Sequence, residues 1–179
     1  MLNGKKVILG ISGGIAAYKT PELARLLIKA GAEVRVVATQ NALKIVSPIT
    51  LATLTHHNIY SEVFDAETNY SPEHISTADW GDLLLVAPAT ANIIGKFANG
   101  LADDALSTTF LAFDKPVFIA PAMNNKMYEH PIVQQNIRQL QAIDVQIIDP
   151  AYGPLACGTE GRGRMEEPEN IVAFLEEAL

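Results

Sequence analysis

The chain has 179 residues, of which 49% are hydrophobic and 18% are charged, and its formal net charge is −7. This length and composition predict a folded globular protein rather than a disordered one, and the acidic balance argues against a duplex nucleic-acid binder, which needs a basic face. The one cysteine, Cys157, excludes an intrachain disulfide and favours a reducing compartment. No apolar run reaches the roughly 18 residues of a membrane span, and the apolar run near the N-terminus ends at a glycine turn instead of a signal-peptide cleavage site. We therefore expect a cytoplasmic protein with no membrane partner.

Strand-like and helix-like segments alternate along the chain. Buried strands are predicted at "KKVILGI", "EVRVVAT", "DLLLVAPAT", "PVFIAPA" and "VQIID", and helices at "AAYKTPELARLLIKAG", "SPITLATLT", "NIIGKFANG", "DDALSTTFLAF", "HPIVQQNIRQLQAI" and "PENIVAFLEEAL". Pro21 predicts a kink in the first helix or a second start capped by Thr20. Residues 57–72 are predicted to be irregular with a short strand around "IYSEV", and residues 150–168 to form a loop rich in glycine and proline.

The apolar runs of the strands are continuous rather than alternating, which is typical of a parallel sheet covered by helices on both faces. We therefore predict an α/β fold: a single doubly wound, Rossmann-like or flavodoxin-like domain that spans residues 1–179. Ligands of such folds bind outside the carboxyl ends of the strands. The polar residues predicted at those ends are 12–14, 39–41, 88–92 and 121–125.

The segment "GISGGIAAYK" follows the first strand and opens a helix. Its glycines let backbone amides approach a phosphate at a helix N-terminus, although a plain strand-to-helix turn also uses glycine. The spacing is not G-x-G-x-x-G, and Thr39 stands after the second strand where a dinucleotide site has an acidic residue. The segment therefore favours a mononucleotide, such as a flavin or another nucleotide phosphate.

Three further segments carry candidate residues. Thr90, Ala91 and Asn92 follow one strand, with Ser107 further on, although Thr90 is also a good helix cap. The segment "PAMNNKMYEHP" places two adjacent amides at a strand end, where a polar group is bound more readily than in a bland turn. Cys157 lies in the glycine-rich "GPLACGTEGRGRM", where Arg162 and Arg164 would lower the pKa of a nearby thiol, although a lone cysteine is more often buried and inert.

The four histidines give little evidence for a metal site. His56 and His57 are adjacent and point to different faces, and no cysteine or acidic cluster completes a ligand set, so we predict no metal. His74 differs from the others only by its place just before a predicted strand, near the cleft.

Taken together, the segments resemble the flavin-containing cysteine decarboxylases over nearly the whole chain. "APATANIIGK" is similar to the family's P-x-S/T-A-N segment, "PAMNNKMYEHP" to its P-x-M-N-x-x-M-W motif and "ACGTEGRGRM" to its ACG-containing flap. Tyr128 stands where the motif usually has tryptophan. The likeness is strongest to members that act on 4′-phosphopantothenoylcysteine in coenzyme A synthesis. Larger bacterial members carry a fused ligase domain after this region. This sequence stops at Leu179, so we expect a stand-alone decarboxylase.

The resemblance implies FMN as the cofactor and assigns roles to residues. It implies that Ser12, Gly13, Gly14, Thr39, Thr90, Ala91, Asn92 and Ser107 surround FMN, that Asn124, Met127 and Ala122 bind substrate, and that His74 and Cys157 are catalytic. It also implies a homo-oligomer, a trimer or a dodecamer of trimers, with the site between subunits.

The implied reaction oxidises the substrate thiol with flavin, loses CO2 to an enethiolate and then reduces that product to 4′-phosphopantetheine. Cys157 would supply the proton of the last step. Peptide-modifying members, which act on a C-terminal cysteine and release an oxidised product, lack this cysteine. Two readings besides the main one stay open: such an oxidative peptide decarboxylase, and a non-catalytic regulatory flavoprotein. A flavin prenyltransferase-like protein is a more remote alternative, because it would not need the "PAMN" and "ACG" segments.

Overall fold

The large sheet in the computed structural model has five strands, all parallel, in the order β2-β1-β3-β4-β5. The structure describes residues 2–63, 73–154, 158 and 160–179. The strands are β1 (Lys6–Ile11), β2 (Glu33–Ala38), β3 (Leu83–Ala89), β4 (Val117–Pro121) and β5 (Gln146–Ile147). The strand order reverses between β1 and β3, and in doubly wound sheets this switch point borders the ligand crevice.

Helices cover both faces of this sheet. They are α1 (Thr20–Lys29), α2 (Pro48–Thr55), α3 (Glu73–Trp80), α4 (Ala91–Ala98), α5 (Ala105–Leu111), α6 (Asn125–Tyr128), α7 (Pro131–Gln141) and α8 (Pro168–Ala178), with 3-10 turns at Ile15–Lys19 and Ala42–Lys44. Apolar residues of α1, α2 and α8 belong to one core cluster, and those of α4, α5 and α7 belong to a second. The predicted doubly wound parallel fold is confirmed.

The central strand β3 shows why the sequence forms this sheet. All seven of its residues are buried. Side chains of a strand alternate between its two faces, and accordingly Leu83 and Leu85 pack in the first cluster while Leu84 and Val86 pack in the second. Both faces therefore require apolar residues, which is the continuous pattern seen in the sequence.

The prediction of a loop over residues 150–168 is wrong. This region contains an antiparallel hairpin of β6 (Ala151–Pro154) and β7 (Glu160–Arg164). Glycine and proline disfavour strands on their own, so local propensity hides the hairpin. The backbone pairing and the packing of β7 against α6 supply what propensity does not.

Two smaller predictions also differ from the structure, and one helix was missed. The second helix start near Pro21 exists, but the N-cap position belongs to Lys19, while the Thr20 hydroxyl donates to the carbonyl of Ala17 at 2.8 Å. The strand expected around "IYSEV" is reduced to one bridge between Tyr60 and Val37, and residues 64–72 lie outside the described part of the chain. Helix α3 was not predicted, because only two of its residues are buried and its apolar periodicity is weak.

Candidate active site

A large cavity lies at the carboxyl ends of the parallel strands and has a volume of about 1060 Å³. Small-molecule sites commonly measure about 300–1,000 Å³, so this cavity has room for a cofactor and a substrate together. Its walls come from the segments after β1, β2, β3 and β4 and from the end of β7. Ten of the residues predicted from the sequence line it: Ser12, Gly13, Gly14, Thr39, Thr90, Ala91, Asn92, Ala122, Asn124 and Met127.

The turn after β1 approaches its neighbours so closely that a side chain would not fit there. A Cβ on Gly13 would lie 2.4 Å from the Cβ of Asn41 and 3.0 Å from its backbone carbonyl carbon. A Cβ on Gly14 would lie 3.1 Å from the Cγ2 of Thr90. The backbone of this turn therefore borders the cavity without side chains of its own. This bare backbone lets a phosphate or the edge of a ring bind close to the turn.

Ser12 joins the turn after β1 to the segment after β3. Its hydroxyl donates to the carbonyl oxygen of Pro88 at 2.7 Å and accepts from the backbone N–H of Thr90 at 3.0 Å. The residue is 1% exposed. The hydroxyl of Thr90 in turn accepts from the N–H of Ile93 at 3.4 Å and caps α4. These two hydroxyls hold the cavity wall in place and leave the amides at the start of α4 at its surface.

Ser107 is fully buried and is not among the residues that line the cavity. Its side chain forms a reciprocal cap with Asp104, in which Asp104 N–H donates to Ser107 Oγ at 3.1 Å and Ser107 N–H donates to Asp104 Oδ1 at 2.8 Å. The ammonium of Lys96 lies 2.6 Å from a carboxylate oxygen of both Asp103 and Asp104. Burial alone would raise the pKa of Asp104, but hydrogen bonds from Lys96 and Ser107 outweigh it and hold that pKa below the usual 3.8. Contact of Ser107 with the cofactor stays a prediction.

Asn124 lies three residues after the end of β4, at the N-cap of the short helix α6. Its Oδ1 accepts from the backbone N–H of Lys126 at 2.9 Å. The cap fixes the side chain at the cavity, and it uses the oxygen side of the amide. Met127, which is 49% exposed, and Ala122 line the cavity on the same segment.

Strand β7 is seated directly on this segment. The N–H of Met123 donates to the carbonyl of Gly163 at 2.8 Å. A Cβ on Gly163 would lie 2.4 Å from the carbonyl oxygen of Met123, and a Cβ on Gly161 would lie 2.8 Å from the Cβ of Asn125. The glycines of the "GRGR" run are therefore needed for close approach, and β7 forms a wall of the cavity beside Asn124.

Charged residues complete that wall. Lys19 Nζ lies 2.8 Å from one carboxylate oxygen of Glu167, and Arg164 pairs with the other oxygen. All three side chains line the cavity. The hydrogen bond from Lys19 is the main cause that lowers the pKa of Glu167, so the carboxylate is ionised near neutral pH. Sequence reasoning missed Lys19 and Glu167 because they are 148 residues apart.

The structure bears differently on the two predicted catalytic residues and their relation to this cavity. His74 lies half-buried on α3 and does not line it, and Cys157 lies outside the described residues. Their roles stay predictions. Within the described ranges, no group of three or more His, Cys, Asp or Glu side chains is arranged to hold a metal ion. The helices of the same ranges are all too short or too polar to cross a membrane.

Known proteins resemble this chain in sequence and in fold. The bifunctional protein CoaBC of coenzyme A biosynthesis from Bacillus subtilis is 52% identical over 176 residues, which are 98% of this chain and 43% of that protein. The chain thus spans less than half the length of the curated CoaBC relatives that it matches.

Two solved structures superimpose closely. A cysteine-to-serine mutant of PPC decarboxylase in complex with pantothenoylaminoethenethiol has a TM-score of 0.89 and 31% identity, with 98% of each chain covered. The FMN binding protein AtHal3 has a TM-score of 0.88 and 32% identity, with 98% of this chain and 97% of that chain covered. The model of the family described as Flavoprotein matches residues 1–179. The chain therefore belongs to the Flavoprotein family.

Proposed function

We propose that this chain binds FMN and decarboxylates 4′-phosphopantothenoylcysteine to 4′-phosphopantetheine in coenzyme A synthesis. The observation that carries the proposal is the cavity at the switch point of the sheet, which brings the Gly13–Gly14 turn, the start of α4 and Asn124 to one space. The names of the relatives support it, since one is a PPC decarboxylase and another acts in coenzyme A biosynthesis.

The residues around the cavity fit FMN. The turn at Gly13 and Gly14 has no room for side chains, and the first amides of α4 have no partner inside the helix and lie at the positive end of its dipole. These features suit a phosphate and the edge of a flavin ring. The residues that would hold FMN are Ser12, Gly13, Gly14, Thr39, Thr90, Ala91 and Asn92. FMN, when bound, supplies two-electron redox chemistry and so gives the breaking carbon–carbon bond an electron sink that the substrate lacks.

Asn124 would bind the substrate carboxylate. An anion needs a hydrogen-bond donor, so the NH2 group would be the side of the amide that faces the carboxylate. A neutral donor holds the carboxylate without the ion pair that would favour the charged ground state over departing CO2. Met127 and Ala122 would provide the apolar surface beside it.

His74 and Cys157 would handle protons. A neutral imidazole has one ring nitrogen that can accept a proton, so His74 suits removal of the thiol proton of the substrate. A thiol in the segment between β6 and β7 suits return of a proton to the sulfur-bearing fragment when the product is reduced.

His74 lies outside the cavity of its own chain, which supports an assembly in which a neighbouring subunit supplies this residue. Large apolar side chains around the cavity are also exposed, among them Ile15 at 64% and Tyr18 at 63%. We propose a homo-oligomer built from trimers. We further propose that residues 1–179 form one domain and that the protein works in the cytoplasm, in line with its single cysteine.

The test is mass spectrometry of the products after the FMN-loaded protein is mixed with 4′-phosphopantothenoylcysteine. We expect loss of CO2 and the saturated product 4′-phosphopantetheine, and we expect Cys157→Ala to lose CO2 but leave an oxidised product. A wild-type product that stays oxidised would favour the peptide-decarboxylase alternative. A protein that is yellow with bound flavin but inactive would favour a regulatory flavoprotein.

A further inference from the structure

Lys19, Arg164 and Glu167, called here the Lys19 cluster, form a cationic patch in the wall of the cavity. The Glu167 carboxylate bridges the two cations, so the cluster carries one surplus positive charge. The surplus is notable in a chain whose formal charge is −7. The side chain of Lys19 is only 12% exposed, so its charge is held close to the wall instead of extending into solvent.

The donors of the cluster exceed the acceptors that the protein provides. An ammonium has three N–H donors and a guanidinium has five, and Glu167 accepts from each of the two cations. The Nε of Arg164 is buried and has no hydrogen-bond partner among the described residues. This Nε is also shielded from the cavity, so the donors that can meet a ligand are the other N–H groups of Arg164 and Lys19, which outnumber the acceptors that Glu167 provides.

The chemistry of the cluster favours a phosphate monoester. Such a group carries a charge of about −1.5 to −2 near neutral pH and has three acceptor oxygens, so it can accept from an ammonium and a guanidinium together. Glu167 orients both cations, and its single negative charge leaves the cluster one net positive charge with which to attract the anion.

The position of the cluster indicates which phosphate it binds. Arg164 follows Gly163, whose carbonyl accepts from Met123 next to Asn124. Arg164 and Glu167 therefore lie on the wall that carries the proposed substrate residues, and the ion pair with Glu167 holds the ammonium of Lys19 against that wall. The nearest neighbours of the Gly13–Gly14 turn are instead Asn41 and Thr90. We propose that the Lys19 cluster binds a phosphate monoester and that its occupant is the 4′-phosphate of the substrate and not the phosphate of FMN. This inference rests on the proposed function.

Binding to the FMN-loaded protein tests the inference without any turnover. Titration calorimetry would compare 4′-phosphopantetheine with pantetheine, which lacks the phosphate. Flavin fluorescence would separately compare the affinities of FMN and riboflavin. The variants are Lys19→Met, Arg164→Met and Lys19→Arg, with Lys29→Met as a control that removes the same charge from an exposed position outside the cavity.

We expect Lys19→Met and Arg164→Met each to weaken 4′-phosphopantetheine binding on the order of 10- to 100-fold and to leave pantetheine binding unchanged. Lys19→Arg should keep most of the preference for phosphate, and Lys29→Met should keep all of it. Equal losses for both ligands, or no loss, would overturn the subsite. A loss of FMN affinity alone, with riboflavin unchanged, would overturn the choice of occupant. A wild-type protein that prefers the phosphorylated ligand yet never decarboxylates its substrate would refute the proposed function and leave the subsite standing.

Discussion

Replacing Gly163 with alanine should separate strand β7 from the segment that carries Asn124. Gly163 has a φ of 148°, which an L-residue adopts only with strain, and its Cβ would lie 2.4 Å from the carbonyl oxygen of Met123. That oxygen belongs to the backbone and cannot rotate away as a side chain can. The strand must therefore move outwards and stretch the 2.8 Å hydrogen bond from Met123 N–H to Gly163.

Gly153 offers a matched control in the same hairpin. Its φ is 157°, and the nearest atom to its Cβ would be the Nη1 of Arg164 at 3.8 Å, the end of a flexible side chain. Both substitutions carry backbone strain of about 1–3 kcal/mol. Only Gly163→Ala adds an overpacking cost of about 1–3 kcal/mol and the loss of a hydrogen bond of about 1 kcal/mol. The free energy of unfolding should therefore fall by about 2–4 kcal/mol more for Gly163→Ala than for Gly153→Ala.

Urea unfolding of the FMN-loaded variants at one protein concentration measures this difference. Steady-state decarboxylation and FMN affinity should be measured on the same samples. Because β7 bears on the substrate segment, kcat/KM should drop for Gly163→Ala while FMN affinity stays close to that of Gly153→Ala. If the two variants differ by less than about 0.5 kcal/mol and have equal kcat/KM, β7 does not position Asn124 as argued.

Two further predictions follow from the site. Asn124→Asp keeps an oxygen that accepts from Lys126 N–H but replaces the NH2 donor with a negative charge. We therefore expect kcat/KM to fall on the order of 100-fold while FMN affinity stays unchanged. A variant that retains activity would contradict the role of the amide. The pKa of Asp104 is lowered in the folded protein, so its ion pair stabilises the fold above about pH 4 and that contribution disappears as the pH falls below the unfolded value of 3.8. Asp104→Asn should therefore reduce stability at pH 7 and make the loss of stability in acid less steep. Thermal unfolding from pH 3 to 7 measures both effects. As a control, Asp114→Asn at an exposed position should leave the dependence of stability on pH as it is in the wild type.

The sheet could be predicted because its signal is local. Strands such as β3 are buried on both faces, and continuous apolar runs record that burial directly in the sequence. The position of the cavity could be predicted from the same signal, since the carboxyl ends of parallel strands meet at one edge of the sheet. Ten predicted residues meet there for that reason.

The features that were missed depend on contacts between distant residues. The β6–β7 hairpin consists of residues with weak strand propensity and is held by pairing and by close packing on residues 123–125. Lys19 and Glu167 form their ion pair across 148 positions, and neither stands out in its own segment. Spatial proximity of this kind leaves no trace in one sequence, so the charged wall could be found only from the fold.

The polar groups in and beside the cavity have different roles, which their residue types alone do not distinguish. The hydroxyls of Ser12, Thr90 and Ser107 all bond within the protein, to Pro88, Ile93 and the cap at Asp104. These bonds set the positions of strand ends and helix starts. Further donors at the cavity come from the first amides of α4 and from the cations of the Lys19 cluster. Ligand affinity should accordingly respond to the Lys19 cluster through direct contact, and to the buried hydroxyls through the geometry of the wall that they hold.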